Sequence, residues 1–165
     1  MQKIQLYDTT LRDGAQSEGI SFSVEDKLKI ARKMDKLGIH YIEGGWPGSN
    51  PKDIDFFKTA KELSLSHAQI VAFGSTRHAK NNAENDPNIK AMLDAGTSTV
   101  CLVGKTSELH ATQVLETTLE QNLRMIWDSI KYLKSKDYTV FFDAEHFFDG
   151  YKMNAEYSLK CVHMA

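Results

Sequence analysis

An arginine and an aspartate, Arg12 and Asp13, stand side by side in the string Asp8-Thr9-Thr10-Leu11-Arg12-Asp13-Gly14-Ala15-Gln16. The string follows the apolar stretch Ile4-Gln5-Leu6-Tyr7, where a first β-strand should end. A permanent cation beside a hard oxygen ligand suits a site that holds a divalent metal ion and stabilises a developing oxyanion. Gly14 is expected to let the backbone turn sharply behind the pair, and Gln16 belongs to the same strand end. Alone, an Arg-Asp pair reads as a weak surface ion pair. The nine-residue string at a strand end is what gives it weight.

Other strand ends carry carboxylates. Glu43 follows Ile42 and precedes Gly44-Gly45-Trp46-Pro47-Gly48-Ser49, which lacks the closing Gly-Lys-Ser/Thr of a phosphate loop. In Asp143-Ala144-Glu145-His146 two carboxylates stand two residues apart, so on a strand both would share one face. Either could do general acid–base work, and spacing alone does not choose between them. Histidines occur at 40, 67, 78, 110, 146 and 163, and none forms the His-x-His or His-Glu-x-x-His of a zinc site. His146 reads as a surface loop residue, and His40, His67, His78 and His110 as solvated positions near element ends. Lys105-Thr106 reads equally well as a contact for an anionic substrate or coenzyme and as a solvent-facing loop.

These residues need a scaffold that gathers strand ends. Apolar runs at 4–7, 39–43, 69–73, 99–103 and 139–143 read as five short strands separated by amphipathic helical sequence. Such alternation implies right-handed βαβ units and a parallel sheet, whose ligand groups gather at the C-terminal ends of the strands. Ser23 with Asp26 signals a helix start and Gly38 its stop. Asn50-Pro51 and Asp86-Pro87 each read as an N-cap followed by proline at the first helical position, with Gly96 ending the second helix. A long helix is expected over 112–135, and another begins at Asn154 with no stop signal before Ala165. A complete flavodoxin-like domain and the first five units of a (β/α)8 barrel both fit this order, a closed barrel taking about 250 residues.

Composition narrows the class. The 165 residues are 41% hydrophobic and 25% charged, as in a globular domain with its own core. A net charge of −2 provides no basic field for nucleic acid. No apolar run reaches the ~18 residues a membrane span needs, and Met1-Gln2-Lys3 leads into strand-like sequence with no room for a signal peptide. Cys101 and Cys161 form no Cys-x-x-Cys motif, and Cys101 is expected to be a buried reduced thiol, with the cytoplasm as compartment. The pairs Phe56-Phe57, Phe141-Phe142 and Phe147-Phe148 are expected to be packing residues.

Three segments also carry a resemblance. The string at 8–16, Tyr-Ile-Glu-Gly-Gly-Trp-Pro-Gly-Ser-Asn-Pro-Lys-Asp at 41–53 and Phe-Asp-Ala-Glu-His-Phe-Phe-Asp-Gly-Tyr-Lys at 142–152 are similar to the metal-dependent Claisen-condensing TIM barrels. That family holds the isopropylmalate, homocitrate and citramalate synthases and their lyase relatives, and the wording here is that of the citramalate-type branch. The resemblance runs from Leu6 to about Tyr157, and it decides for the barrel: an α/β fold of about five βα units, the N-terminal portion of a (β/α)8 domain truncated at its C-terminus. It implies condensation of acetyl-CoA with pyruvate in isoleucine biosynthesis, a divalent metal ion (Mg, Mn or Zn), and a homodimer when full-length. It also implies that Arg12 and Glu145 are catalytic, that Asp13 binds the metal, and that Gln16 and Glu43 lie against the substrate, Glu43 by orienting Arg12. The family completes its metal site with a His-x-His pair on a later strand, which 1–165 does not contain, so the chain alone is expected to be inactive. Alternatives are an isopropylmalate or homocitrate synthase, a lyase, or a catalytically inactive barrel fragment.

Overall fold

The computed structural model of the chain describes residues 4–165. The signal-peptide reading rested on residues 1–3, which lie outside the described residues. β1 (Tyr7–Asp8) is shorter than the apolar run before it suggests. Ile4 and Leu6 remain exposed, and an apolar run becomes strand only where a neighbour covers it. Leu6 is tied down by single bonds instead: its carbonyl accepts the amides of His40 and Tyr41, and its amide donates to His40 Nδ1.

Tyr7 pairs with Tyr41 and Asp8 with Ile42, so β1 and β2 (Tyr41–Gly45) run parallel. β2 and β3 (Gln69–Ser75) are also parallel, with an irregularity between Glu43 and Gly45 that shifts the register by a residue. β4 (Thr99–Lys105) and β5 (Thr139–Glu145) follow, and the sheet order is β1-β2-β3-β4-β5. Sequential order decides between the two candidate architectures. A flavodoxin-like sheet runs 2-1-3-4-5, whereas barrel strands follow one another around the ring. The fold is a partial (β/α)8 barrel of five strands.

The helices start and stop where the caps predict. α1 (Val24–Leu37) opens on a capping box between Ser23 and Asp26 and closes on Gly38 at φ 86°. α2 (Pro51–Ala60) is capped by Asn50, and the Asp86 carboxylate accepts the amides of Asn88 and Ile89 at the head of α3 (Pro87–Asp94). The fourth helix differs. α4 (Leu119–Ser135) begins at the Thr118 N-cap, because Glu116 takes a left-handed φ of 49° and breaks the segment after a short turn at His110–Val114. α5 (Phe147–Met153) is a helix that apolar periodicity did not signal, and Phe148 on it is exposed rather than packed. α6 (Ala155–Met164) is capped by Asn154 as expected.

Two compact units make up the chain. The first holds the described residues through Gly74 together with Ala91–Val100. Its fully buried side chains include Leu11, Ile42, Phe56 and Val71, with Phe56 and Phe57 edge to face at 5.4 Å. The second comprises Ser75–Lys90 and Cys101–Ala165. Its core joins Ala111, Ile126, Tyr157 and Cys161, flanked by Leu119, Leu123, Ile130, Phe142 and Met164. Both cysteines are buried, and burial pushes the Cys161 thiol up to about 11. Among the described residues no helix is long and apolar enough to cross a membrane.

Candidate active site

In the first unit, the residues after β1 coil tightly. The Thr9 carbonyl accepts the amides of both Arg12 and Gly14 at 3.1 Å, and the Asp8 carboxylate accepts the Thr10 amide at 2.9 Å. Leu11 is fully buried and plugs the turn into the core, which leaves Arg12 and Asp13 to project beside it. Gly14 keeps a negative φ, and a Cβ there would meet nothing closer than 3.7 Å. The turn therefore does not depend on glycine, and the sharp backbone reversal expected of Gly14 is supplied by Thr9 and Asp8.

Arg12 is held on its edge and on its face. Its Nε donates to Glu43 Oε1 at 2.5 Å, and its guanidinium carbon lies 3.9 Å from the centre of the Phe73 ring. Phe73 is braced in turn by Trp46, edge to face at 5.4 Å. Glu43 is only 1% exposed and divides its oxygens: the Tyr7 hydroxyl donates to Oε2 at 2.5 Å. Asp13 contrasts with this, being 65% exposed with its Oδ1 3.2 Å from Arg12 Nη1. A guanidinium fixed in this way is held in one orientation, as oxyanion stabilisation requires.

Arg12 and Gln16 line a cleft of about 470 Å³. Its far wall is built on a buried ion pair that sequence reasoning missed. Lys27 Nζ donates to Asp53 Oδ1 at 2.5 Å and to the Gly44 carbonyl at 3.0 Å. Asp53 Oδ2 accepts the Trp46 amide and the Asn50 side-chain amide, so one carboxylate joins α1, α2 and the loop after β2. Gly45 makes that approach possible: its φ is 150°, and a Cβ would lie 2.5 Å from the Asp53 carboxyl carbon. The available signal was position. Lys27, Ala31 and Asp35 are spaced four apart on one face of α1, and all three are buried.

Glu145 belongs to the second unit, as the last residue of β5. Its Oε2 forms an ion pair with Lys105 Nζ, so Lys105 is a partner of the carboxylate rather than a free loop cation. His146 follows with a left-handed φ of 59°, and its Nε2 lies 3.9 Å from Glu145 Oε1. The expectation of a solvated His110 does not hold. Its ring stacks on that of His146 with centroids 3.8 Å apart, and its buried Nδ1 has no hydrogen-bond partner among the described residues. Burial and the facing His146 lower the His110 pKa.

The structure thus brings Arg12, Asp13 and Glu43 into contact and sets Gln16 in the same cleft. It shows Glu145 with Lys105 in the other unit. Among the described residues no three His, Cys, Asp or Glu side chains gather into a metal-holding cluster. Asp13 offers an accessible hard oxygen donor, and a single such donor is not by itself a metal site.

Comparisons with known proteins agree with this architecture. The HMGL-like family model matches residues 3–163. An (R)-citramalate synthase of Geobacter sulfurreducens is 54% identical over the whole chain, which spans 31% of that enzyme's length. A 2-isopropylmalate synthase of Sulfurisphaera tokodaii is 34% identical over 99% of the chain, which spans 40% of it. Among solved structures, the HMG-CoA lyase of Bacillus subtilis superposes with a TM-score of 0.70 at 16% identity, over 99% of this chain and 55% of that one. That likeness is one of fold. The chain belongs to the HMGL-like family.

Proposed function

We propose that the chain is the N-terminal part of a catalytic barrel that condenses acetyl-CoA with pyruvate to give (R)-citramalate, on a route to isoleucine. The observation that carries this reading is the 54% identity to an (R)-citramalate synthase over every residue, against 34% to a 2-isopropylmalate synthase. The buried Glu43 clamp on Arg12 gives the reading a mechanism. When the enolate carbon of acetyl-CoA attacks the keto carbon, a C–C bond forms and the keto oxygen becomes an alkoxide. Arg12, unable to lose its proton, stabilises that charge through donors already in place. Gln16 lines the cleft against the substrate, and Glu145 supports proton transfer. A divalent ion, Mg, Mn or Zn, would take Asp13 as one ligand and contribute Lewis-acid polarisation when bound. A cytoplasmic homodimer using small-molecule substrates, with no nucleic acid or membrane partner, completes the reading.

Thiol release from acetyl-CoA by the full-length protein tests it, with pyruvate set against longer 2-oxo acids. Pyruvate should win in kcat/KM by about 10-fold or more, the discrimination one or more added methylenes typically allow. Faster turnover of a branched 2-oxo acid would make the protein an isopropylmalate synthase. No thiol release with any of them would make it an inactive barrel.

A further inference from the structure

The ion pair between Lys105 and Glu145 is half-exposed, with side-chain accessibilities of 22% and 34%. Pairs of that kind add little to stability. Yet the backbone on both sides of it is held by groups that are wholly buried. Asn122 Nδ2, from α4, donates to the Lys105 carbonyl at 2.7 Å. Thr106 donates to the Glu145 carbonyl through its hydroxyl at 2.7 Å and its amide at 3.2 Å. Ser158, from α6, donates its hydroxyl to the Thr106 carbonyl at 2.7 Å. Asn122, Thr106 and Ser158 are each 0% exposed. Burying polar groups costs free energy, and the buried Asn122 Oδ1 has no hydrogen-bond partner among the described residues, so a network of this size is poorly explained by the weak pair it surrounds. What it fixes is the main chain from which the Lys105 and Glu145 side chains reach one another.

We propose that Lys105 is a positioning residue, holding Glu145 by Oε2 so that Oε1 is presented to the substrate or to a water bound to it. Oε1 lies 3.9 Å from His146 Nε2, beyond hydrogen-bond length, and that ring stacks on the His110 ring. Without Lys105 the carboxylate gains rotamers and either oxygen can face the site. A misplacement of that order falls on the chemical step more than on substrate binding. The proposal rests on the reading that Glu145 is catalytic.

The test is steady-state kinetics of the full-length protein with Lys105→Met, Lys105→Arg, Glu145→Gln and the Lys105→Met/Glu145→Gln double variant. Lys105→Met should lower kcat roughly 10- to 100-fold with the KM for pyruvate within about twofold of wild type. Lys105→Arg should restore most of the rate, and Lys105→Met should cost less than about twofold once Glu145 is already Gln. Wild-type kcat in Lys105→Met beside an impaired Glu145→Gln would overturn the proposal, as would a full additive loss in the double variant. Wild-type kcat in Glu145→Gln would instead overturn the catalytic reading of Glu145 beneath it. Should Lys105→Met fail to fold, Lys105→Gln takes its place with the same expected loss and the same contrary result.

Discussion

Two carboxylate–cation pairs of this chain, Arg12–Glu43 and Lys105–Glu145, are built on opposite terms. Glu43 is 1% exposed and shares its oxygens between Arg12 and Tyr7, while Arg12 is stacked on Phe73. Glu145 is 34% exposed, and its pair with Lys105 is reached by water. In the first, charge is buried and geometry and stability are one property: whatever loosens the pair strands a charge in a low-dielectric setting. In the second, solvent screens the pair, so it adds little to stability and what it contributes is geometry, set on a main chain held by buried groups. The first arrangement suits a fixed electrostatic element. The second suits a group that exchanges protons.

The largest effect expected from this contrast lies in the wall of the Arg12 cleft. Lys27→Met leaves Asp53 buried without its cation and should destabilise the protein by about 3–5 kcal/mol, measured by urea unfolding. A loss under about 1 kcal/mol would mean the wall is not held by this pair. Glu43→Gln should cost about 2–3 kcal/mol, less than a fully buried pair because Arg12 keeps some exposure. Glu145→Gln should cost no more than about 1 kcal/mol. Equal losses for Glu43→Gln and Glu145→Gln would erase the distinction between the two pairs.

Acid should separate the units as well. In the second, the folded state lowers the pKa of His110 from its ordinary 6.5, so the unfolded chain binds a proton that the folded one resists. Its contribution is fully present above 6.5 and is lost as pH falls below that value. In the first, Asp35 is lowered from 3.8 by the amides of Ser66, Ala68 and His67, and its contribution is lost only as pH falls below about 4. Amide exchange at pH 5 should therefore rise in β5 before β2. Exchange rising first in β2 would contradict this.

How much of this was legible depended on what a residue's neighbours had to be. Caps are local, and Ser23, Gly38, Asn50 and Asp86 act where the sequence placed them. Barrel order was legible only through the motif at 8–16, since alternation alone also fits a flavodoxin-like sheet. Lys27 and Asp53 were missed because charged helix residues read as solvated, and only a partner 26 positions away makes their burial possible. The Lys105–Glu145 pair spans 40 residues and the His110–His146 stack 36, distances over which no periodicity reports. On α4 the buried stripe turned out to include Asn122 and Ser129, each buried because it hydrogen-bonds main chain, so the apolar positions understated the core.

In the proposed reaction Arg12 carries oxyanion stabilisation while its neighbour Asp13 holds the metal. That division is tested most directly by kcat of the full-length protein in Arg12→Lys and Asp13→Asn across a metal titration. Lysine keeps the charge but loses the planar fork that Glu43 and Phe73 hold, so kcat should fall about 10²–10³-fold at any metal concentration, with the KM for pyruvate little changed. Asp13→Asn should be partly rescued by excess metal. Near wild-type kcat in Arg12→Lys, or metal rescue of Arg12→Lys but not of Asp13→Asn, would contradict the account.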